Sequence, residues 1–270
     1  MELIIGDTPL HLACRNRDIN PEIITTLLKK SCIPNEKNEE GEHTITLACR
    51  NRDINPEIIT TLLKNSCIPN EKNEEGDTPL HLACRNRDIN PEIITTLLKN
   101  SCIPNEKNEE GDTPLHIACS TFHINTEFIT TLLENNCKPN EKNNKGNTPL
   151  HLACRNLIIS PEVITTLLKN NCKQNEKNNE GDTSLHLACR NYRITQEIIT
   201  TLLKNNCYPN EKNNEGDTPL HLACGNYRIN AEIITTLLKN NCKPNEKNNE
   251  VNKANAFFFN TNENGNGECM

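Results

Sequence analysis

In six copies of a 35-residue unit a histidine stands three places before a cysteine: His11 and Cys14, His81 and Cys84, His116 and Cys119, His151 and Cys154, His186 and Cys189, His221 and Cys224. On a helix this spacing puts imidazole and thiol on one face, where they could share a metal ion. A structural zinc site needs four ligands, usually C-x₂₋₄-C combined with H-x₃₋₅-H, and the second half of such a site is missing here. The carboxylates gather in polar stretches such as NEKNEEGD, where a solvated role fits them better than acid–base work. No G-x-S-x-G, P-loop, H-E-x-x-H or G-x-G-x-x-G is present. A catalytic site is also normally unique, whereas nearly every candidate here recurs seven times. The sequence therefore predicts no catalytic residue, no metal and no cofactor.

Composition narrows the class. The chain of 270 residues has no Trp, five Phe and three Tyr, and is 34% hydrophobic, too little bulky apolar material for one deep core. A net charge of −7 with interleaved signs gives no basic stripe for nucleic acid. MELIIGDTPLHLAC lacks a basic region followed by a long apolar run, so no signal peptide is predicted. No apolar segment approaches about 18 residues, so none is predicted to span a membrane. There is no N-x-S/T sequon, and the reading is cytoplasmic.

The elements that must position these residues repeat with the same period. Gly6, Gly41, Gly76, Gly111, Gly146, Gly181 and Gly216 each open a unit, and seven copies run from 6 to 250. In the third, Thr78 can cap a first helix with Pro79 at its first position. Asn90 caps a second, with Pro91 first, Glu92 in the first turn and Ile89 as a staple onto Ile94. Ile93, Ile94, Leu97 and Leu98 make an apolar stripe, which ends at Asn100 and Ser101 before Pro104. The polar run that closes on Gly reads as a turn or hairpin. So short a unit cannot bury its own stripe and must stack on its neighbours, giving a mainly α solenoid of helix-turn-helix units joined by polar hairpin loops.

GDTPLHLAC, followed by LLKNSC and a polar hairpin containing Asn105, resembles the ankyrin repeats, over residues 6–250. Several departures stand out. The unit has 35 residues rather than the usual 33, with the extra two between the helices. The Gly that usually ends the first helix is Arg17, Arg52, Arg87, Phe122, Leu157, Tyr192 or Tyr227, and the one after the second helix is Ser or Asn. Repeat 2 reads GEHTITLAC, with Thr44 for Pro and Thr46 for His, and is expected to be the least regular copy. The resemblance implies that the TPLH histidine is structural and that cysteines such as Cys84 and Cys102 fill small apolar places normally held by Ala. Stacked helices lie about 8–10 Å apart, beyond the roughly 7 Å that a disulfide tolerates. The fifteen cysteines are thus predicted to be free, packed thiols.

The resemblance further implies a non-catalytic scaffold or adaptor that binds a protein on a concave face made of hairpin tips and inner helices. The exposed binding columns would be the pair before each Gly, the residue after it, and the two after the inner-helix Cys. In repeat 3 these are Glu74, Glu75, Asp77, Arg85 and Asn86. In repeat 5 they are Asn144, Lys145, Asn147, Arg155 and Asn156, and in repeat 6 they include Asp182 and Arg190. The tips run acidic through repeats 2 to 4 and are mixed in repeat 5, which suits an elongated partner with a basic end. Phe122, Leu157, Tyr192 and Tyr227 form an apolar and aromatic column that is either a packing ladder or a binding hot spot. Phe257 to Phe259 could cover the end of repeat 7, with the rest of the tail disordered. MELII offers no polar cap, so the chain is read as a piece of a longer array or as a monomer able to self-associate end to end. The alternatives are the repeat part of a larger multidomain protein, such as an enzyme whose catalytic domain is absent, and a purely structural array.

Overall fold

The computed structural model describes residues 6–87, 90–121 and 126–249. The chain forms two compact units, the first ending at Lys173 and the second starting at Gln174. In the first, the inner helices α1 (Pro9–Arg15), α3 (Thr44–Arg50), α5 (Pro79–Arg85), α7 (Pro114–Ser120) and α9 (Pro149–Arg155) each pack on the next. The outer helices α2 (Pro21–Lys29), α4 (Pro56–Lys64), α6 (Pro91–Lys99), α8 (Thr126–Glu134) and α10 (Pro161–Lys169) do the same. In the second, α11 (Ser184–Arg190) packs on α13 (Pro219–Gly225) and α12 (Gln196–Lys204) on α14 (Ala231–Lys239). No strand is present among the described residues; the nearest thing is the isolated bridge between Lys37 and His43.

The helices start where the caps demand. Asn90 Oδ1 accepts from the Glu92 N–H at 2.9 Å, with Pro91 filling a position whose N–H would be an orphan. Ile93, Ile94 and Leu97 of α6 are fully buried, and Leu98 is half-buried. Ile89 lies outside the described residues, but Ile54, its counterpart in repeat 2, is buried. Ile23 of the first outer helix is 47% exposed, whereas Ile58 at the same place in repeat 2 is fully buried. Residues 1–5 and the FFF segment, to which the sequence assigns the lead-in and the end cover, also lie outside the described residues.

Each outer helix ends in a left-handed residue that is not glycine. Ser31, Ser66, Ser101, Asn136, Asn171, Asn206 and Asn241 have φ between 62° and 72°. The turn is closed by bonds such as Cys102 N–H to Leu97 O at 3.3 Å. At the hairpin end glycine is obligatory for a second reason. A Cβ on Gly76 would sit 2.8 Å from the backbone nitrogen of Glu109, at the far end of the same repeat.

Within a unit, columns of hydrogen bonds join each repeat to the one after it. Asn70 donates to Ser101 O at 2.9 Å and accepts from Ile103 N–H at 2.7 Å. Lys72 Nζ donates to Lys107 O at 2.9 Å and lies 3.0 Å from a Glu106 carboxylate oxygen. The Cys102 thiol donates to Pro69 O at 3.3 Å.

Repeat 2 departs where its sequence departs. With Thr46 in place of His, α3 begins without a side-chain cap bond. The Thr46 hydroxyl lies instead 2.6 Å from His43 O and 2.9 Å from the Glu42 carboxylate, and the buried His43 lies 3.3 Å from the Glu71 carboxylate at the far end of the same repeat.

Left-handed Ser costs more than left-handed Gly, because its Cβ crowds the following carbonyl. Ser101→Gly is expected to raise stability by roughly 0.5–1 kcal/mol, after the extra chain entropy of Gly in the unfolded state is subtracted. Asn206→Gly should gain less, because Asn tolerates this region better. Urea midpoints of the two variants check this, and a loss of stability in Ser101→Gly would refute it.

Candidate functional site

The histidines come first, because they hold the inner helices on which the candidate surface rests. His81 Nδ1 accepts from the Thr78 N–H at 3.1 Å and lies 2.8 Å from the Thr78 hydroxyl. The proton therefore sits on Nε2, which donates to Asp112 O of the next repeat at 2.9 Å. His116 does the same to Asn147 O at 3.0 Å. Both ring nitrogens are used, so the imidazole is not presented as a ligand. Among the described residues no group of three or more His, Cys, Asp or Glu is arranged to hold a metal.

The columns that the sequence places on the surface divide into two kinds. Glu74, Glu75, Arg85, Lys145, Arg155 and Arg190 are exposed. Asp77, Asp182 and Asn86 are buried, together with Asn147 and Asn156, and their predicted exposure is corrected. Each is consumed by the stacking. Asp77 Oδ1 accepts from Asn108 Nδ2 at 2.8 Å, and Asp182 accepts from Asn213 at 2.8 Å. Asn86 Nδ2 donates back to Asn51 O at 3.2 Å and Cys49 O at 3.4 Å, covering carbonyls that the end of α3 leaves open. In repeat 4 the Asn is replaced by Thr121, whose hydroxyl lies 2.8 Å from Ile117 O of its own helix and 3.3 Å from Cys84 O.

The exposed arginines mostly meet these acids. Arg85 lies 2.8 Å from Asp77 and 3.0 Å from Glu75, and its guanidinium holds the Glu75 carboxyl below the usual carboxylate range. Arg50 lies 2.8 Å from Glu42, Arg15 3.2 Å from Asp7 and Arg190 2.8 Å from Asp182. Arg50, Arg52, Arg85 and Arg87 converge on a small groove of about 280 Å³. A larger one, of about 550 Å³, opens in repeats 4 and 5 between the hairpin ends and inner helices. Its lining includes Glu109, Glu110, Lys145 and Arg155.

The aromatic column is partly in view. Phe122 lies outside the described residues, and Leu157 is half-buried. Tyr192 is 37% exposed and Tyr227 87%. The Arg228 guanidinium stands over both rings, 4.9 Å from the centroid of Tyr192 and 5.3 Å from that of Tyr227. This cation–π arrangement, made by Arg228, links two successive repeats. Its spacing of 36 residues from Tyr192 is the signal that could have found it.

All fourteen cysteines among the described residues are free. Burial pushes the Cys67, Cys102 and Cys137 thiols up to about 12. Cys224 is exposed and Cys32 half-buried.

Two measurements follow from this geometry. In native protein, a thiol reagent is expected to modify Cys224 first and Cys32 next, and the other described cysteines only on unfolding; peptide mapping by mass spectrometry reads the order. Rapid native labelling of Cys102 or Cys137 would contradict the packing. The second concerns pH. Burial holds the His43, His81, His116 and His186 imidazoles below the usual histidine value. The folded state then binds fewer protons than the unfolded one once the pH falls through about 6.5. Stability should be full above that pH and decline below it, by up to about 1.4 kcal/mol per pH unit for each such histidine. A urea midpoint unchanged between pH 7.5 and 5.5 would show that these imidazoles are not held neutral.

Comparison with known proteins places this geometry. A family model for ankyrin repeats in three copies matches residues 10–108, 45–143, 90–178 and 157–248. No curated protein sequence matches the chain. The human ASB11 ankyrin repeat domain is similar in structure, with a TM-score of 0.73 at 22% identity, over 88% of this chain and 100% of that one. The ankyrin repeat domain of Bcl-3, a member of the IkappaB protein family, is similar at a TM-score of 0.69 and 25% identity, over 87% of this chain and 99% of that one. The family's pattern thus runs through both units, from residue 10 to residue 248, and the chain belongs to the ankyrin-repeat family.

Proposed function

We propose that the chain is a non-catalytic scaffold that binds a protein partner through the face bearing its hairpin ends and inner helices. The observation that carries this reading is the contrast between adjacent columns. Places used in stacking are buried and nearly constant, as in Asp77 and Asn86, while the places beside them are exposed or half-buried and change from repeat to repeat. The pair before each Gly passes from Glu74 and Glu75 to Asn144 and Lys145, and the third loop place from arginine to Leu157, Tyr192 and Tyr227. A surface free to vary on a constant frame is what recognition requires. Glu74, Glu75, Arg85, Lys145, Arg155, Leu157, Arg190, Tyr192 and Tyr227 are the residues assigned to the contact, with Tyr and Arg the types that most often anchor one.

No helix among the described residues is long and apolar enough to cross a membrane. Free thiols suit a reducing compartment, which supports a cytoplasmic location. A second reading, a purely structural array, draws on one observation: residues 15–29, 50–64 and 85–99 are identical, and identical surfaces carry little specific information.

A photo-crosslinking amino acid separates the two. Placed in cells at Glu75, Lys145 or Leu157, it is expected to give adducts of discrete mass, with none from Glu57, Lys64 or Lys99 on the outer helices. Adducts only from the outer positions would move the contact to the other face, and none from either set would favour the structural array. Tyr192→Ala should weaken capture by about 1–2 kcal/mol if the ring is an anchor. A fall in melting temperature with unchanged capture would make the column a packing ladder instead.

A further inference from the structure

Sevenfold repetition supplies an internal control, and one feature breaks it. An arginine after the inner-helix cysteine pairs with the acid after the opening glycine of its own repeat in repeats 1, 2, 3 and 6, as Arg15–Asp7, Arg50–Glu42, Arg85–Asp77 and Arg190–Asp182. In repeat 4 the arginine is Ser120, in repeat 7 it is Gly225, and in repeat 5 the acid is Asn147; only repeats 4 and 5 bring an unmatched acid and an unmatched arginine side by side. Asp112 therefore keeps an acid without its arginine. It is only 6% exposed, and Asn143 donates to one of its carboxylate oxygens at 2.7 Å. Arg155 keeps an arginine without its acid and has no ion pair among the described residues. The two half-pairs lie in adjacent repeats and line one groove, the 550 Å³ opening of the first unit.

We propose that this groove receives a partner segment of mixed charge that completes both half-pairs. A basic side chain of the segment takes the place vacated at Ser120, against Asp112 and the exposed Glu110. An acidic side chain takes the place vacated at Asn147, against Arg155 and the exposed Lys145. The inference rests on the reading of the chain as a protein-binding array and names the chemistry of what is bound. Mixed charge follows from the lining. A polyanion would meet Glu109, Glu110 and Asp112, and a wholly basic segment would meet Lys145 and Arg155. The two half-pairs occupy the same place in neighbouring repeats, and the members of a complete pair touch, as Arg85 and Asp77 do at 2.8 Å, so stacking sets the half-pairs about 8–10 Å apart. A chain in the polyproline conformation covers about 9 Å in three residues and returns to the same face. The matching motif is therefore a basic and an acidic residue three positions apart.

The test uses the array's own consensus, so that the variants keep their fold. Asn147→Asp rebuilds the pair with Arg155, and Ser120→Arg rebuilds the pair with Asp112; both residues already occupy the same places in other repeats. The probes are fluorescein-labelled twelve-residue peptides in a Pro/Ser background, with one Arg and one Glu three positions apart in either order. Controls have Gln for Glu, or the two charges adjacent. Titration by anisotropy, with amide chemical shifts locating the contact, is expected to show saturable binding of one order of the motif. Affinity should fall at least tenfold in each rebuilt variant and with the Gln peptide. Equal binding of the Gln control, unchanged affinity in both rebuilt variants, or no saturation up to millimolar peptide would each overturn the proposal. The double variant with the crosslinker at Leu157 separates the two levels of inference. Adducts that persist there leave the protein-binding reading standing and remove the mixed-charge groove, whereas adducts that vanish support both.

Discussion

A seven-residue helix has no independent stability in water, so each inner helix depends on whatever closes its first turn and ties it to a neighbour. In α5 one side chain does both. The His81 ring accepts from Thr78 on one edge and donates to the next repeat on the other. The two bonds require a neutral ring of defined tautomer, and burial enforces neutrality. The unit is thus pinned at the point where its apolar stripe is too short to hold it. Where Thr46 replaces the histidine, α3 loses that closure and the job passes to Glu42 and His43, with a different geometry.

Polar side chains do much of the structural work in this chain, which bears on how its surface should be interpreted. Asparagine at four places of the unit bonds forward or back by 31 to 37 residues, and the buried acid after glycine receives one of those bonds. Bonds of this kind hold no more energy than any other, about 1 kcal/mol each. Their effect is to fix register, because a buried donor left unpaired costs more than a pair gains. What remains for recognition is the set of side chains the columns do not use.

Much of this was legible in the sequence. The period, the two helices, the caps at Asn90 and Thr78, the stop at Ser101 and the packing of the thiols all follow from local rules. The exposure of Asp77, Asp182 and Asn86 was misread for a physical reason. Their partners stand 31 to 37 residues away, at the far end of the same copy for Asp77 and Asp182 and in the preceding copy for Asn86, and the local sequence does not reveal cover of that kind. Arg85 and Arg155 look identical in sequence; only the residue eight places before each, the acid Asp77 in one case and the amide Asn147 in the other, distinguishes a neutralised guanidinium from an open one. The cation–π stack of Arg228 was missed because it depends on side-chain reach across a loop, which periodicity does not encode.

The identity of residues 15–29, 50–64 and 85–99 has a consequence for how the chain can change over generations. An unequal exchange between two neighbouring stretches removes or adds 35 residues without creating a new junction sequence. Because the inter-repeat bonds of the first unit are defined by offset and not by absolute position, every one is re-formed by the residues that come into register. The length of this part of the array is therefore a quantity that recombination can adjust in whole steps, at a fold cost close to zero. The later repeats, whose loops have diverged to Leu157, Tyr192 and Tyr227, have lost that freedom.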